Sequence, residues 1–334
     1  MKIGFFELDG WEEKIVREKF SGHDLRFSNE KITETSMPAQ LDFDIICTFV
    51  NSQMAPSVIS KFPNLKLVTT RSTGFDHIDV PACTAKNIKV AYVPGYGDNT
   101  VAEFAFGLIL NLTRKIYLAI DQTKKSESFS FTGLRGVDIK GKTLVVLGTG
   151  RIGKETIKIA KGFGMNVVAF DPFPNAEAAK TLGFTYLSLE EALKVADVIT
   201  IHAPLNDATK HLINKDNIKL IKRGAYLVNT ARGGIVETSA LVWALMDGTL
   251  AGAGLDVLEE EGDVSDEMKF LGNSGMQEER VRVMLENHAL MKMSNVLITP
   301  HNAFNTQEAL ERILNTTIEN ISGFLAGTPK NLVP

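Results

Sequence analysis

Residues 143–153 read Thr143-Leu-Val-Val-Leu-Gly148-Thr-Gly150-Arg-Ile-Gly153, and apolar residues continue past them at helical spacing to Ile159. The run 143–147 is β-branched and aliphatic without alternation, as in a strand buried on both faces. A strand, a glycine turn and a helix in that order form the dinucleotide fingerprint. Gly148 makes the tight turn, Gly150 lets the backbone approach a pyrophosphate, and Gly153 lets helix and strand pack closely. The helix opening at Arg151 and Ile152 offers free N–H groups and a partial positive charge to phosphates. A second strand, residues 166–170, ends at Asp171, about 20 residues past Gly150, where an acid binds the adenosine ribose. Its charge would repel a 2′-phosphate, and Pro172-Phe173-Pro174 brings no basic residue, so NAD is expected rather than NADP.

Outward from this motif the pattern repeats. Strand-like runs at 2–7, 25–28, 45–50, 67–70 and 90–93 precede it, with helical stretches at 11–20 and 56–62. Further strands are expected at 166–170, 198–202, 225–229, 253–257 and 296–299. Such alternation implies parallel sheets covered by helices, and two series imply two doubly wound α/β domains, in line with 334 residues at roughly 150 per domain. Residues 101–123 read as one long helix, apolar on most faces and so buried, between domains or between subunits. Residues 133–141 read as a surface connection. Residues 262–294 read as a helical excursion, since a structureless loop of that length is uncommon.

Composition excludes several classes. Hydrophobic residues at 44% and charged residues at 23% describe a globular chain. A net charge of −4 without a basic stripe argues against nucleic acid. No uncharged apolar run reaches the roughly 18 residues of a membrane helix. The start, residues 1–8, is too short and too acidic for a signal peptide. Cys47 and Cys83 read as buried thiols in a reducing compartment, so a cytoplasmic protein without metal is expected.

Polar residues at the carboxyl ends of parallel strands face the ligand crevice. Those ends here are His202-Ala203-Pro204, Asn229-Thr230-Ala231-Arg232-Gly233-Gly234, Asp256 followed by Glu259-Glu260-Glu261, and Thr299-Pro300-His301-Asn302. Near a nicotinamide, Arg232 could grip a carboxylate bidentately. His301 could exchange a proton with a substrate oxygen, with Glu261 favouring its charged form. Each has a plainer reading alone: a loop arginine, a solvated acid, a strand-end histidine. His202 reads as a structural or cofactor-facing neighbour.

These motifs, together with Arg71-Ser-Thr-Gly-Phe-Asp-His-Ile-Asp79, Asn99-Thr-Val-Ala-Glu103 and Gly254-Leu-Asp-Val257, resemble the D-isomer-specific 2-hydroxyacid dehydrogenase family over essentially the whole chain. The resemblance implies a flavodoxin-like substrate domain, residues 1–100 plus 301–334, and an inserted Rossmann NAD-binding domain, residues 101–300, with hinges near 99–101 and 300–302. It implies catalytic roles for Arg232, Glu261 and His301. His202, Ala203, Pro204, Thr209, Thr230, Ala231 and Asp256 would join the glycine turn in holding NAD. It implies a homodimer held by the long helix, a small 2-keto or 2-hydroxy acid as substrate, and no membrane or nucleic-acid partner. Glu261 argues against the formate dehydrogenases, which carry glutamine there. Tyr96-Gly-Asp-Asn-Thr-Val-Ala-Glu103 looks like the D-lactate version, with Tyr96 and Phe304 lining the substrate pocket and main-chain N–H groups of Ser72, Thr73 and Gly74 holding the substrate carboxylate. Pyruvate is therefore the expected keto acid. Two alternatives stand beside it: another keto acid (2-ketoglutarate, branched or aromatic acids, glyoxylate or hydroxypyruvate), and a non-catalytic NAD-sensing, corepressor-like protein. The stretch between Glu261 and His301 is longer than the family pattern leads one to expect.

Overall fold

The structure is a computed structural model describing residues 1–126, 129–260 and 278–333. It divides into two compact units, Met1–Tyr96 with Thr306–Pro334, and Gly97–Asn305.

The first unit runs β1 (Lys2–Phe5), α1 (Gly10–Lys19), β2 (Asp24–Phe27), β3 (Ile45–Thr48), α2 (Pro56–Ile59), β4 (Leu67–Thr70), α3 (Val80–Ala85) and β5 (Lys89–Ala91). All five strands are parallel in the order β2-β1-β3-β4-β5, which is the flavodoxin order. Every residue of β3 and β4 is buried, because helices cover both faces of the sheet.

The second unit opens with α4 (Asp98–Arg114) and α5 (Ile116–Ser126). The single helix expected over 101–123 is thus two. Lys115 adopts a left-handed conformation, φ 51° and ψ 38°, and its N–H caps the carbonyls of Asn111 and Leu112. The carbonyl of Thr113 accepts instead from Val137 N–H, 2.8 Å away. The burial of α4 is explained within its own unit: Phe106, Leu108, Ile109 and Leu112 pack with Leu144, Val146 and Val228.

The unit continues with β6 (Thr143–Leu147), α6 (Arg151–Gly162), β7 (Asn166–Phe170), α7 (Ala176–Leu182), β8 (Thr185–Tyr186), α8 (Leu189–Val195), β9 (Val198–Ile201), β10 (Ala225–Asn229), α9 (Thr238–Asp247), β11 (Leu250–Leu255), α10 (Glu278–Lys292) and β12 (Val296–Ile298). The helical part of the expected excursion is α10; residues 262–277 lie outside the described residues. The sheet is parallel throughout, ordered β12-β11-β10-β9-β6-β7-β8. That is the Rossmann order with one added strand. Alternate residues of β6 serve opposite cores: Val145 and Leu147 one face, Leu144 and Val146 the other. The last helix, α11 (Gln307–Leu325), returns to the first unit, where Leu314, Ile318 and Ile321 pack on Ile3, Phe5 and Ile45.

One buried ion pair ties the first unit together. Arg71, just past β4, donates through one nitrogen to both carboxylate oxygens of Glu12, each at 2.7 Å. Its other terminal nitrogen reaches the carbonyls of Phe6 and Glu7. Arg71 and Glu12 are 3% and 4% exposed, so neither charge has water to fall back on. Removing one partner of such a pair typically costs about 3–5 kcal/mol. Glu12→Gln should therefore lower the urea midpoint sharply, by a stability loss of about 3 kcal/mol or more. Glu13→Gln, which breaks the exposed pair with Arg17, should cost less than about 1 kcal/mol. Equal losses in the two variants would mean the Arg71 pair is not what anchors β4.

Candidate active site

The turn between β6 and α6 has the shape its glycines require. Gly148 sits at φ 95°, and a Cβ there would lie 2.7 Å from the carbonyl oxygen of His202. A Cβ on Gly153 would lie 2.1 Å from the oxygen of Gly148. A Cβ on Gly150 would meet nothing within 4 Å. The turn is thus closed against the sheet and open at the position where a pyrophosphate approaches. Gly150 caps α6 without a side-chain bond, which leaves the first-turn N–H groups of Arg151, Ile152 and Gly153 to a ligand. The guanidinium of Arg151 rests on Asp98 at 2.7 Å, its side chain largely exposed. Asp171, past the end of β7, accepts from Thr149 N–H at 2.7 Å and Phe173 N–H at 2.9 Å. This donor set fits a dinucleotide.

After β9, His202 hangs from Leu147 by its N–H at 2.8 Å. Its Nε2 lies 2.9 Å from Thr200 Oγ1 and 3.1 Å from Thr156 Oγ1. Burial pushes the imidazole down to about 3, so it stays neutral and cannot act as an acid at working pH. Thr209 binds the carbonyl of Pro204 at 2.5 Å and closes the loop that begins at Ala203. His202 Nδ1 and Thr230 Oγ1 are two of the eight side-chain polar atoms buried without a hydrogen-bond partner among the described residues, and of the eight these two lie at the strand ends beside the glycine turn and Arg232.

The loops after β10, β11 and β12 carry the remaining candidates. Asn229 is 1% exposed. Its amide donates to Arg232 O at 2.9 Å and accepts from Ala231 N–H at 3.0 Å, shaping the turn that presents Arg232. Gly233 then packs so closely on the next loop that a Cβ would lie 2.0 Å from the carbonyl carbon of Leu258. Asp256 is also 1% exposed. One carboxylate oxygen accepts from Thr299 Oγ1 at 2.5 Å and Asn302 N–H at 2.8 Å, the other from Ala303 N–H at 2.8 Å. Its carbonyl takes the N–H of His301 at 2.8 Å. Burial raises its carboxyl above the ordinary value, against those hydrogen bonds. His301 itself sits at φ 50°, a left-handed conformation that costs a non-glycine residue about 1–3 kcal/mol. Asp256 therefore holds the strained loop that carries His301.

Glu261 lies outside the described residues. Its neighbour Glu259 binds His211 Nε2 at 2.7 Å and Thr238 Oγ1 at 2.7 Å, while Glu260 lies 3.5 Å from Arg280. The second unit thus brings the glycine turn, Arg232, Asp256 and His301 to one sheet edge, with Phe304 half-buried beyond them. Ser72, Thr73, Gly74 and Tyr96 belong to the first unit. There Ser72 Oγ donates to Gly74 O at 2.6 Å, Thr73 Oγ1 donates to Val93 O at 2.7 Å, and Arg312 donates to Tyr96 O at 2.7 Å. The sequence reading did not single out Asn229, Glu259 with His211, or Tyr186. The Asn in Asn-Thr-Ala-Arg-Gly-Gly was a usable signal; the others are pairings of residues far apart in the chain. No group of three or more metal-ligating side chains occurs among the described residues, and no helix there is long and apolar enough to cross a membrane.

Residues 106–303 match the family model described as D-isomer specific 2-hydroxyacid dehydrogenase, NAD binding domain. A D-lactate dehydrogenase of Escherichia coli is 35% identical over 100% of both chains. An aromatic 2-oxoacid reductase of Clostridium sporogenes is 40% identical over 80% of this chain and 78% of its own. The crystal structure of a D-lactate dehydrogenase from Aquifex aeolicus, complexed with NAD and lactic acid, superposes with a TM-score of 0.88 at 34% identity, covering 99% of this chain and 98% of that one.

Asp171→Ala removes both a ribose acceptor and the charge that repels a 2′-phosphate. The ratio of NADPH to NADH dissociation constants should fall at least about tenfold, ~1.4 kcal/mol. An unchanged ratio in fluorescence titrations would place cofactor choice elsewhere.

Proposed function

The chain belongs to the D-isomer-specific 2-hydroxyacid dehydrogenases, NAD-dependent enzymes, and from that premise we propose that it reduces pyruvate to D-lactate, reversibly, as a cytoplasmic homodimer. One observation carries the catalytic assignment. Arg232, Asp256 and His301 follow β10, β11 and β12, adjacent parallel strands, and Asp256 fixes the loop that presents His301. End-to-end similarity to D-lactate dehydrogenases supports pyruvate. Ile116, Tyr117 and Ile120, exposed on α5, support a covered face in a dimer.

The glycine turn and Asp171 would hold the dinucleotide, which when bound would supply the hydride for the keto carbon. Arg232 grips the substrate carboxylate with two parallel N–H donors and polarises the carbonyl. In the first unit, the main-chain N–H groups of Ser72, Thr73 and Gly74 cluster around a glycine, an arrangement that suits an anion. His301 donates a proton to the substrate oxygen as it becomes an alkoxide, a contribution of typically about 10²–10⁴-fold. Glu261 is the acid that the family resemblance pairs with this histidine, and Phe304, in the same unit as His301, is half-buried.

A second reading keeps the chemistry and changes the keto acid. The Clostridium sporogenes relative, named an aromatic 2-oxoacid reductase, favours a larger side chain. The test is kcat/KM at fixed NADH for pyruvate, phenylpyruvate, 2-ketoglutarate, glyoxylate and hydroxypyruvate. Pyruvate should lead; phenylpyruvate ahead by about tenfold, ~1.4 kcal/mol of transition-state preference, would transfer the assignment. Arg232→Lys should lower kcat/KM for the preferred acid at least about a hundredfold, ~2.7 kcal/mol, because a point charge cannot replace the fork. Near-normal turnover would make Arg232 a scaffold residue.

A further inference from the structure

Tyr186 stands on β8, the two-residue edge strand, paired in register with Ala169 of β7. Its ring is fixed edge-on to Phe184, with centroids 5.0 Å apart and planes at 71°. Its hydroxyl lies 2.7 Å from Thr149 Oγ1, inside the glycine turn. Thr149 Oγ1 in turn lies 2.9 Å from Asp171 Oδ2. On the other side, Asn175 N–H donates to the Tyr186 hydroxyl oxygen at 3.1 Å.

The donors in this chain can be ordered without seeing a hydrogen. An ionised carboxylate only accepts, so Thr149 must give its one hydroxyl proton to Asp171. Thr149 Oγ1 is then an acceptor toward Tyr186, which must donate to it. The tyrosine oxygen accepts from Asn175 N–H, which can only donate. Every bond points toward the carboxylate, and bonds aligned in this way strengthen one another. Asp171 Oδ2 takes Thr149 N–H and Thr149 Oγ–H, while Oδ1 takes Phe173 N–H. Of the roughly four acceptor positions of a carboxylate, the one left, on Oδ1, has no donor among the described residues.

We propose that Tyr186, acting through Thr149, is a specificity-determining positioning residue for the cofactor. It locks the Asp171 carboxylate so that its remaining acceptor position meets a ribose hydroxyl and its charge cannot turn away from a 2′-phosphate. NADP is rejected by a fixed charge, and the network supplies the fixing. A carboxylate free to rotate would bind the ribose less well and repel the phosphate less strongly. This inference concerns the bound nucleotide and is independent of which keto acid is reduced.

The experiment measures NADH and NADPH dissociation constants by nicotinamide fluorescence on the purified full chain, without turnover. Tyr186→Phe should weaken NADH about fivefold, the scale of one hydrogen bond, and leave NADPH unchanged or tighter. Thr149→Val should do at least as much, and Thr149→Ser, which keeps the hydroxyl, should match wild type. The double variant Tyr186→Phe with Thr149→Val should be no worse than Thr149→Val alone, because the two groups act through one chain. Equal weakening of NADH and NADPH would reduce Tyr186 to a scaffold residue and overturn the proposal. So would losses that multiply in the double variant, or a cofactor ratio that stays put. If Tyr186→Phe does not fold, the contrast between Thr149→Val and Thr149→Ser decides the same question.

Discussion

A parallel sheet covered on both faces has a single edge at which all its strands end, and the second unit places its candidate site residues at that edge. β6 is enclosed so completely that Leu144, Val145, Val146 and Leu147 are all 0% exposed. Its chain must emerge at the carboxyl end through a turn with no room for a Cβ at two of its positions. Gly148 and Gly153 meet that constraint by letting backbone touch backbone. The crossovers then bring β9, β10, β11 and β12 to the same edge in spatial sequence. The cofactor cradle and the candidate catalytic loops follow from one arrangement of buried strands.

Loops at such an edge have few contacts of their own, and this protein holds them with buried or half-buried polar side chains. Asn229 shapes the Arg232 turn, Asp256 holds the His301 loop, Asp171 is held by Thr149, and Glu259 is held by His211 and Thr238. Asn229 and Asp256 are enclosed and Asp171 and Glu259 half-buried, and the deeper the group, the stronger its hydrogen bonds and the costlier an unmet partner. The left-handed backbone at His301 persists because Asp256 over-determines the loop around it. The first unit uses the same device in its Arg71–Glu12 pair, which sets the β4 end ahead of Ser72.

The readings that hold are those carried by local chemistry. The glycine turn and the alternation of strands and helices are each contained in a few contiguous residues. The readings that failed needed distant partners. Residues 101–123 looked like one helix because both halves are helix-compatible; the break at Lys115 is made with Val137, which lies beyond the second half. β8 went unseen because two residues have no period, and it exists by pairing with β7. β11 starts at Leu250, earlier than its expected start at 253, because Ala251-Gly252 is weak in strand propensity but lies beside β10.

The sequence by itself determined the two α/β series, the glycine turn of a dinucleotide fold and which polar residues stand at each strand end. These are properties of nearest neighbours: a turn needs glycine where backbone meets backbone, and a buried strand needs an apolar run. Only the tertiary structure decided which polar residues are taken up by other parts of the protein. It turned the carboxylate of Asp256 toward the His301 loop, paired Glu259 with His211, and ran a chain of hydroxyls from Tyr186 to Asp171. Those outcomes depend on pairings across tens of residues. A carboxylate or a hydroxyl reads the same in a sequence whether its partner is a substrate or another loop; the distance between the atoms makes the difference.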